Sequence, residues 1–302
     1  MELRHLRYFI AVAEAGSLTV AAEQHLHTAQ PSLSRQMRDL EQEIGVKLML
    51  RSARGIELTA AGKVFLDHAR LALVQIGAAG EAARQAARTG KASFTVGFLT
   101  GYEMEWLPVV MDILRDELPN TELVIRSQSS PDLAADLLRG SIDVAFLRPE
   151  KAASALTFRL LNREPLVVVL PRDHHLAARD VLSVHDVSGE TLIGVPMSNA
   201  PVLREVTDAY AMQCGADLRP DHEALNLAMA ISLVASTGGI ALLPLFARNL
   251  LPPSVVWRPL SGTPPVIGFS IGYNEANTSP LLKYVVSRIE EIKSSDPAGH
   301  AP

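Results

Sequence analysis

The chain has 302 residues, which is enough for two or three domains with sizeable hydrophobic cores. Its formal net charge of -5 at pH 7 argues against a generally basic nucleic-acid coat, and its one cysteine, Cys214, excludes an internal disulfide framework. Because the N-terminus lacks a basic segment followed by an apolar one, we expect no export and a cytoplasmic location.

Residues 18–58 predict two short helices joined by a sharp turn and followed by a hairpin. In the second helix, apolar residues recur at the 4-3-4 spacing of one buried stripe, made of Leu33, Met37, Leu40 and Ile44. The opposite face carries Pro31, Arg35 and Arg38, with Ser32 and Ser34 on its flanks. Arg and Gln side chains can read base edges in the DNA major groove while Ser contacts phosphate, so the pattern is typical of a helix-turn-helix.

The hairpin after this helix predicts a wing. Gly55 favours a tight turn between two short extended runs, and Arg51 and Arg54 would enter the minor groove or contact phosphates. Residues 1–90 carry 11 Lys and Arg against 9 Asp and Glu, so their net positive charge is small and must be concentrated to be useful. The candidate DNA-binding residues are Gln30, Pro31, Ser32, Ser34, Arg35, Arg38, Arg51 and Arg54.

Residues 59–88 contain no proline and much alanine, which predicts one long helix. Small and apolar residues alternate along it at spacings of 4 and 3, as in a coiled-coil seam: Phe65, Ala69, Ala72, Ile76, Ala79, Ala83 and Ala86. We interpret this face as a dimerisation helix, since a twofold dimer doubles the contacts on palindromic DNA. The alternative is that the face packs on its own domain. Residues 89–91 would end the helix and act as a hinge.

From residue 92 onward, predicted strands alternate with predicted helices, which indicates an α/β fold with a largely parallel sheet. The first series has strands at 93–98, 122–127 and 142–147 and helices at 103–118 and 131–139. The second has strands at 166–170, 191–195 and 240–243 and helices at 202–212 and 225–235. A strand at 266–273 and a helix at 280–293 would return to the first lobe. The long apolar run 225–247 is read as a helix, a glycine turn and a buried strand rather than a membrane span.

Several N-terminal motifs resemble those of LysR-type transcriptional regulators. They are residues 1–9, Gly16-Ser17, Ala21-Ala22, residues 30–36, residues 39–41, Leu58-Thr59 and Ala61-Gly62. The resemblance implies a winged helix-turn-helix domain over 1–58, a linker helix over 59–90 and an effector-binding domain over 91–302. That domain would be two-lobed and similar to type II periplasmic-binding proteins, with lobe I at about 91–162 and 268–302 and lobe II at about 163–267. Residues 23–29 form a spacer one residue longer than usual in that family, which leaves the angle of the recognition helix open but not its role.

In such a two-lobed fold, the ligand lies in the cleft at the strand ends. The candidate effector-binding residues each follow a predicted strand and are Thr100, Gly101, Ser129, Ser130, Arg148, Ser198 and Asn199. Helix N-termini favour anions through their free amides and dipole, so we expect a carboxylate effector. Two alternatives stay open: the hydroxyl residues can be ordinary helix N-caps, and Arg148 can be a surface ion-pair partner.

Residues 164–171 are similar to those of regulators of aromatic-acid catabolism, which implies an aromatic or unsaturated carboxylate as effector and a catabolic operon as target. The family resemblance further implies double-stranded promoter DNA as partner, a homodimer through the linker helix and a homotetramer built from two dimers. RNA polymerase is a further candidate partner, and a membrane is not. The sequence leaves activation, repression or both open.

Two other functions are alternatives. An enzyme would need a reactive constellation, and the best candidate is His174 and His175 beside Asp173. Adjacent histidines point different ways, and no carboxylate or cysteine follows at a ligand spacing, so we expect a solvated loop, no metal and no cofactor. Nucleophile-elbow and phosphate-loop motifs are absent from the sequence. The second alternative is a cytosolic small-molecule-binding protein without a DNA role, against which the extra N-terminal 90 residues argue.

Overall fold

The computed structural model describes residues 1–52, 55–87, 92–150, 153 and 155–295. The chain divides into two compact units, residues 1–84 and residues 85–302, which we call the N-terminal unit and the C-terminal unit. Each has a hydrophobic core of its own.

The N-terminal unit is a helical cluster with a two-stranded hairpin. Its elements are α1 (Leu3–Ala15), α2 (Leu18–Val20) continued by a π-helical turn (Ala21–His25), α3 (Gln30–Ile44), β1 (Met49–Ser52), β2 (Gly55–Leu58) and α4 (Ala60–Ala87). The apolar stripe predicted on α3 is confirmed, because Leu33, Met37 and Leu40 are buried and Ile44 packs at the edge of the same core. The two helices of the predicted helix-turn-helix therefore share one core with α1.

The π-helical turn gives a place to the extra residue of the spacer. The amide of Leu26 donates to the carbonyl of Ala21 at 3.0 Å, which is an i to i+5 bond that closes one residue more than an α-helical turn. His27 then takes a left-handed backbone with φ of 47° before α3 begins. The insertion is thus absorbed inside the first helix of the pair.

The hairpin is held against the helices by backbone contacts. The amide of Ile56 donates to the carbonyl of Gly16, the left-handed C-cap of α1, at 2.8 Å. Gly55 has φ of 127°, and a Cβ there would lie 2.6 Å from that same carbonyl oxygen, so only glycine fits. The glycine that the sequence assigned to a turn also permits this close approach.

Helix α4 begins where it touches the hairpin. The Thr59 hydroxyl donates to the carbonyl of Lys47 at 2.8 Å and accepts the amide of Gly62 at 2.9 Å. A Cβ on Gly62 would lie 2.0 Å from the carbonyl oxygen of Leu48, so the helix and the hairpin are in direct backbone contact.

The predicted coiled-coil seam of α4 divides into two parts. Phe65 packs edge-to-face on Phe9 with ring centroids 5.0 Å apart, and Ala69 is buried, so this half serves its own core. From Ile76 onward the seam is exposed at the positions whose side chains the structure describes, including Ala79 and Ala83. The side chain of Ala86 and the hinge predicted at residues 89–91 lie outside the described residues.

The C-terminal unit is built on a nine-stranded mixed sheet with helices packed against it. Its strands are β3 (Ala92–Leu99), β4 (Thr121–Gln128), β5 (Val144–Leu147), β6 (Thr157–Pro171), β7 (Leu192–Gly194), β8 (His222–Glu223), β9 (Ile240–Pro244), β10 (Val255–Pro259) and β11 (Val266–Tyr273). Its helices are α5 (Glu103–Ile113), α6 (Ser130–Arg139), α7 (Val184–Val187), α8 (Pro201–Cys214), α9 (Leu227–Thr237), α10 (Pro280–Ser287) and α11 (Ile289–Ser294).

The expectation of a largely parallel sheet is wrong. The strand order is β4-β3-β5-β11-β6-β9-β7-β8, with β10 also paired to β6. Pairs within each half are parallel (β3 with β4 and β5, β7 with β8 and β9). The pairs made by β11 and β6 are antiparallel, because these two strands connect the halves and run against their neighbours.

Strand β6 joins the two halves of the sheet without a break. Its first part pairs with β11, and from Leu166 onward it pairs with β9 and β10. Asn162 lies opposite Phe269 and Gly268 opposite Arg163, so the two crossings predicted near Asn162 and Gly268 are neighbours in one ladder. The sequence predicted only the apolar end of this strand, because its first half is rich in polar residues and lacks the apolar run that is typical of a buried strand.

Residues 225–247 form α9, a left-handed Gly238 and β9, as the sequence predicted. Across the described part of the chain, we find no helix with the length and apolar character needed to cross a bilayer.

Candidate DNA-reading face and effector cavity

The exposed face of α3 carries most of the predicted DNA-binding residues. Pro31, Ser32, Arg35 and Arg38 are exposed and Gln30 is half-exposed. The Arg35 side chain is 81% exposed. Its Nε lies 3.9 Å from Asp39 Oδ2, and an exposed ion pair this long does not fix the side chain. Ala29 at the N-cap supplies no side-chain cap, so first-turn amides are free to meet a phosphate.

Three predicted DNA-binding residues fall outside this face. Ser34 is buried, which corrects the expectation that it lies on an accessible flank: it follows Leu33 on the side of α3 that turns towards the core. Its carbonyl accepts a bond from Arg38 Nε at 3.3 Å. Arg51 lies on β1 but its side chain is outside the described residues, and Arg54 is wholly outside them.

Glu41 ties the back of α3 to the hairpin. Its Oε1 accepts the amides of Leu48 at 2.9 Å and Met49 at 3.1 Å, and its Oε2 accepts Lys47 Nζ at 2.7 Å. Burial alone would raise the pKa of Glu41, but the bonds from Lys47 and from the two amides outweigh it and lower this pKa. The carboxylate is therefore held ionised as a fixed link between reading helix and wing.

A cavity of about 190 Å³ lies in the C-terminal unit, where several strands end and helices begin. Its polar lining consists of Thr100, Ser129, Ser130, Asp132, Arg148, Glu150, Asn199 and Asn226. Its other lining residues are Leu99, Val195, Ala200, Val202, Leu203, Leu225, Leu227 and Pro244. An apolar wall with a few convergent polar groups is typical of a small-molecule site.

The structure brings five of the seven predicted effector residues into this cavity: Thr100, Ser129, Ser130, Arg148 and Asn199. Gly101 is not among the lining residues; its amide donates to Glu103 Oε2 at 2.7 Å. Ser198 also lies outside the lining, and its exposed hydroxyl donates to Asn199 Oδ1 at 2.7 Å. For these two residues, effector binding stays a prediction that the cavity lining does not support.

Three helices begin at the cavity wall. The Ser129 side chain caps α6 by accepting the amide of Asp132 at 3.3 Å, and Asn226 caps α9 by accepting the amide of Met229 at 2.9 Å. Helix α8 starts after Ala200, which also lines the cavity. Ser129 is thus both an N-cap and a lining residue, so the two interpretations of the sequence are compatible. The positive ends of the helix dipoles favour an anion here.

Arg148 is buried, so the interpretation as a surface ion-pair partner is wrong. Its guanidinium donates to Glu164 Oε1 at 3.0 Å, to the carbonyl of Gly268 at 3.0 Å and to the Tyr102 hydroxyl. The backbone explains this placement: Arg148 follows β5 inside the sheet, and its amide donates to Ser130 Oγ at 3.1 Å. The arginine charge at the cavity is therefore already neutralised by the protein.

Tyr102 and Glu164 complete this network and escaped the sequence reasoning. The Tyr102 hydroxyl donates to Glu164 Oε1 at 2.6 Å, while Glu164 Oε2 accepts the amide of Phe246 at 2.7 Å. The Tyr102 ring is stacked 3.8 Å from Phe246, and burial raises the pKa of Tyr102 well above its usual value. A signal was available: Glu164 stands just before the apolar run 166–170 and Arg148 just after the apolar run 144–147, and buried charges need a partner.

Glu150 is a further cavity residue that the sequence did not single out. It is half-buried in the cavity wall, and its Oε1 atom is buried without a hydrogen-bond partner in the described structure. Burial, and after it the charge of Glu205, raise the pKa of Glu150 to about 7. Near neutral pH this carboxyl group is therefore divided between its two protonation states.

The histidine pair was expected to be a solvated loop with no carboxylate at a ligand spacing. The structure places a carboxylate against both histidines, and His174 is not solvated. Its side chain is 9% exposed, and Nδ1 accepts the amide of Leu176 at 3.2 Å as the N-cap of a short 3-10 helix. Glu190, distant in sequence, lies 3.5 Å from His174 Nε2 and 3.2 Å from His175 Nε2. With Nδ1 accepting, Nε2 of a neutral His174 carries the proton and faces the carboxylate, which is a hydrogen-bonding arrangement.

Both units match known protein families. Residues 3–63 match the bacterial regulatory helix-turn-helix protein family of the lysR type, and residues 87–291 match the LysR substrate binding domain. The chain belongs to the LysR family of transcriptional regulators. The resemblance and the fold class predicted from the sequence are confirmed: this LysR-family protein combines a DNA-binding helix-turn-helix domain with an effector-binding domain.

Individual LysR-family relatives are similar over nearly the full length. The chain is 35% identical to the HTH-type transcriptional regulator AlsR of Bacillus subtilis (strain 168), over 95% of this chain and 94% of that one. It is 34% identical to the Hca operon transcriptional activator HcaR of Escherichia coli (strain K12), over 98% and 99%. Among solved structures, full-length BenM has a TM-score of 0.59 at 26% identity, over 100% of this chain and 100% of that one.

Proposed function

We propose that this LysR-family regulator reads double-stranded promoter DNA with the exposed face of α3. The observation that carries the proposal is the division of that helix: Leu33, Met37 and Leu40 are buried while Arg35 and Arg38 on the other side are exposed. Gln30, Pro31 and Ser32 extend the same face at the helix start. A rigid back and a free polar front suit insertion into the major groove.

Replacing Arg35 with alanine tests the proposal that α3 contacts the DNA bases. We expect Arg35→Ala to bind the DNA upstream of its own gene at least about fivefold more weakly at matched salt, since one base contact contributes roughly 1–3 kcal/mol. Fluorescence anisotropy with labelled DNA measures it. Arg219→Ala removes the same charge from an exposed arginine in the C-terminal unit and serves as the control. Equal affinity of Arg35→Ala and the parent protein would show that α3 is not the reading element.

We further propose that the cavity binds an aromatic or unsaturated carboxylate. Its volume of about 190 Å³ exceeds the roughly 150 Å³ in which an engineered cavity holds benzene, so a single-ring acid fits. The N-termini of α6, α8 and α9 would hold the carboxylate, assisted by Thr100, Ser129 and Asn199. Relatives named for the Hca and cat1 operons support control of a catabolic operon.

A thermal-shift screen of aromatic acids and their ring-cleavage products tests the ligand class. A ligand at 100 times its Kd stabilises the fold that binds it by about 2.7 kcal/mol, which is a readily measured rise in Tm. Ser129→Ala should weaken the response by removing a cavity hydroxyl. A complete lack of response across the acids would refute the proposal.

The regulatory cycle that we propose is a population shift. Ligand in the cavity changes how far the two halves of the sheet, joined by β6 and β11, close on each other. This alters how the C-terminal units pack in a homotetramer made of two dimers, each formed through α4. The proposed domains are residues 1–58, 59–90 and 91–302. The protein would act in the cytoplasm, contact RNA polymerase at the promoter and catalyse no reaction, in keeping with its regulator relatives.

A further inference from the structure

The position of Glu150 indicates what the effector carries besides its acid group. This inference rests on the proposed function, because it concerns the same cavity. Glu150 Oε1 is buried in the wall and has no hydrogen-bond partner among the residues that the structure describes. A buried acceptor left unpaired is costly, so a donor from the occupant would be favoured there.

The charged groups around Glu150 do not supply that donor. Arg148 is the one cation among the described lining residues, and its guanidinium bonds to Glu164, Tyr102 and Gly268. Asp132, the other acid in the lining, is exposed and accepts the Ser129 hydroxyl at 2.6 Å. Glu205 acts on Glu150 only by repulsion.

The cavity wall therefore carries two unlike kinds of group. The starts of α6, α8 and α9 attract an anion, whereas Glu150 Oε1 is an acceptor that needs a hydrogen-bond donor. We propose that the effector is a hydroxy acid, whose carboxylate lies at the helix starts and whose hydroxyl donates to Glu150 Oε1. An ammonium group could also donate, but the largely apolar wall makes a second full charge expensive to desolvate.

The protonation state of Glu150 makes the strength of this hydrogen bond depend on pH. An ionised Glu150 accepts a hydroxyl hydrogen bond more strongly than its protonated form does. Since the pKa of Glu150 is raised to about 7, its ionised fraction falls from about nine-tenths at pH 8 to about one-tenth at pH 6. Affinity for a hydroxy acid should therefore fall by up to about tenfold over that range. The same acid without its hydroxyl should show no such change through Glu150.

Isothermal titration of the full-length protein with matched acids is the experiment. The probes are benzoate, the three monohydroxybenzoates and the three aminomethylbenzoates, and the aliphatic set butyrate, 3-hydroxybutyrate and 3-aminobutyrate. At pH 8 we expect a hydroxy acid to bind about tenfold or more tightly than its unsubstituted parent, with a smaller advantage at pH 6. Glu150→Ala should abolish the advantage. Glu150→Gln, which keeps an acceptor oxygen, should retain part of it but lose the pH dependence.

Each other result has a definite meaning. Equal binding of hydroxylated and unsubstituted acids would overturn the hydroxy-acid inference while leaving the carboxylate proposal intact. Tightest binding of an ammonium-bearing acid would also overturn it. If no acid binds, the carboxylate proposal fails together with the inference, while the proposal that α3 reads DNA is untouched. Asp217→Ala removes an exposed carboxylate of the same unit and should leave every affinity unchanged.

Discussion

The proposed reading face of α3 and the proposed effector cavity are surfaces of opposite kinds. On α3 the important side chains come from one helix, point outward and are held weakly, as the 3.9 Å separation of Arg35 from Asp39 shows. In the cavity they come from distant segments, and the positive charge of Arg148 is paired with Glu164 in a buried network. A surface that meets a large polyanion can leave its charges free, whereas a closed site must satisfy them internally.

Breaking the buried network should give the largest change in stability. Glu164→Ala leaves the Arg148 guanidinium buried without its counter-charge, and the side chains of this pair are 5% and 3% exposed. We expect the C-terminal unit to lose about 3–5 kcal/mol of its free energy of unfolding. Urea denaturation followed by circular dichroism measures this.

The fully exposed pair of Arg219 and Asp217 provides the contrast, and Arg219→Ala should leave the unfolding transition where it is. Similar transitions for Glu164→Ala and the parent protein would mean that the buried network does not stabilise the unit.

The N-terminal unit should be most sensitive where α4 meets the hairpin. Gly62→Ala places a Cβ 2.0 Å from the Leu48 carbonyl oxygen, so backbone must shift, at a cost of about 1–3 kcal/mol. Gly77→Ala on the same helix meets nothing within 4 Å and should be neutral or stabilise by about 0.5–1 kcal/mol. The two Tm values give the comparison directly, and a Tm for Gly62→Ala at or above the parent value contradicts the close packing.

The smallest expected effect concerns Glu41 and depends on pH. Because its folded pKa is lowered, ionised Glu41 adds stability that is full above the unfolded value of about 4.5 and is lost as the pH falls through the folded value. Glu41→Gln should therefore destabilise the N-terminal unit at pH 7 by about 1–2 kcal/mol. Below about pH 4.5 the difference from the parent protein should shrink. A difference that stays constant down to pH 3 would show that the charge of Glu41 is irrelevant to the fold.

The same contrast explains how much the sequence could predict. The apolar stripe of α3 was predictable because buried positions recur at every turn of a helix. Ser34 was misplaced because a residue at the edge of such a stripe can be either buried or exposed. At the cavity, strand ends predicted Thr100 and Ser129, since topology brings such ends together. Glu164 and Glu150 were not predicted as site residues, because their roles depend on partners that folding alone brings near. The sequence predicted β11 and the apolar end of β6 as strands, but their antiparallel pairing was missed for the same reason.

The π-helical turn at Ala21–His25 has a consequence for protein engineering. The i to i+5 bond from Leu26 to Ala21 holds one residue more than an α-helical turn, and Leu33, Met37 and Leu40 of α3 still face the core. Shortening residues 23–29 by one should convert the widened turn into an ordinary one and leave the outward-facing side chains of α3 unchanged. This segment is therefore a natural place for a length-changing edit.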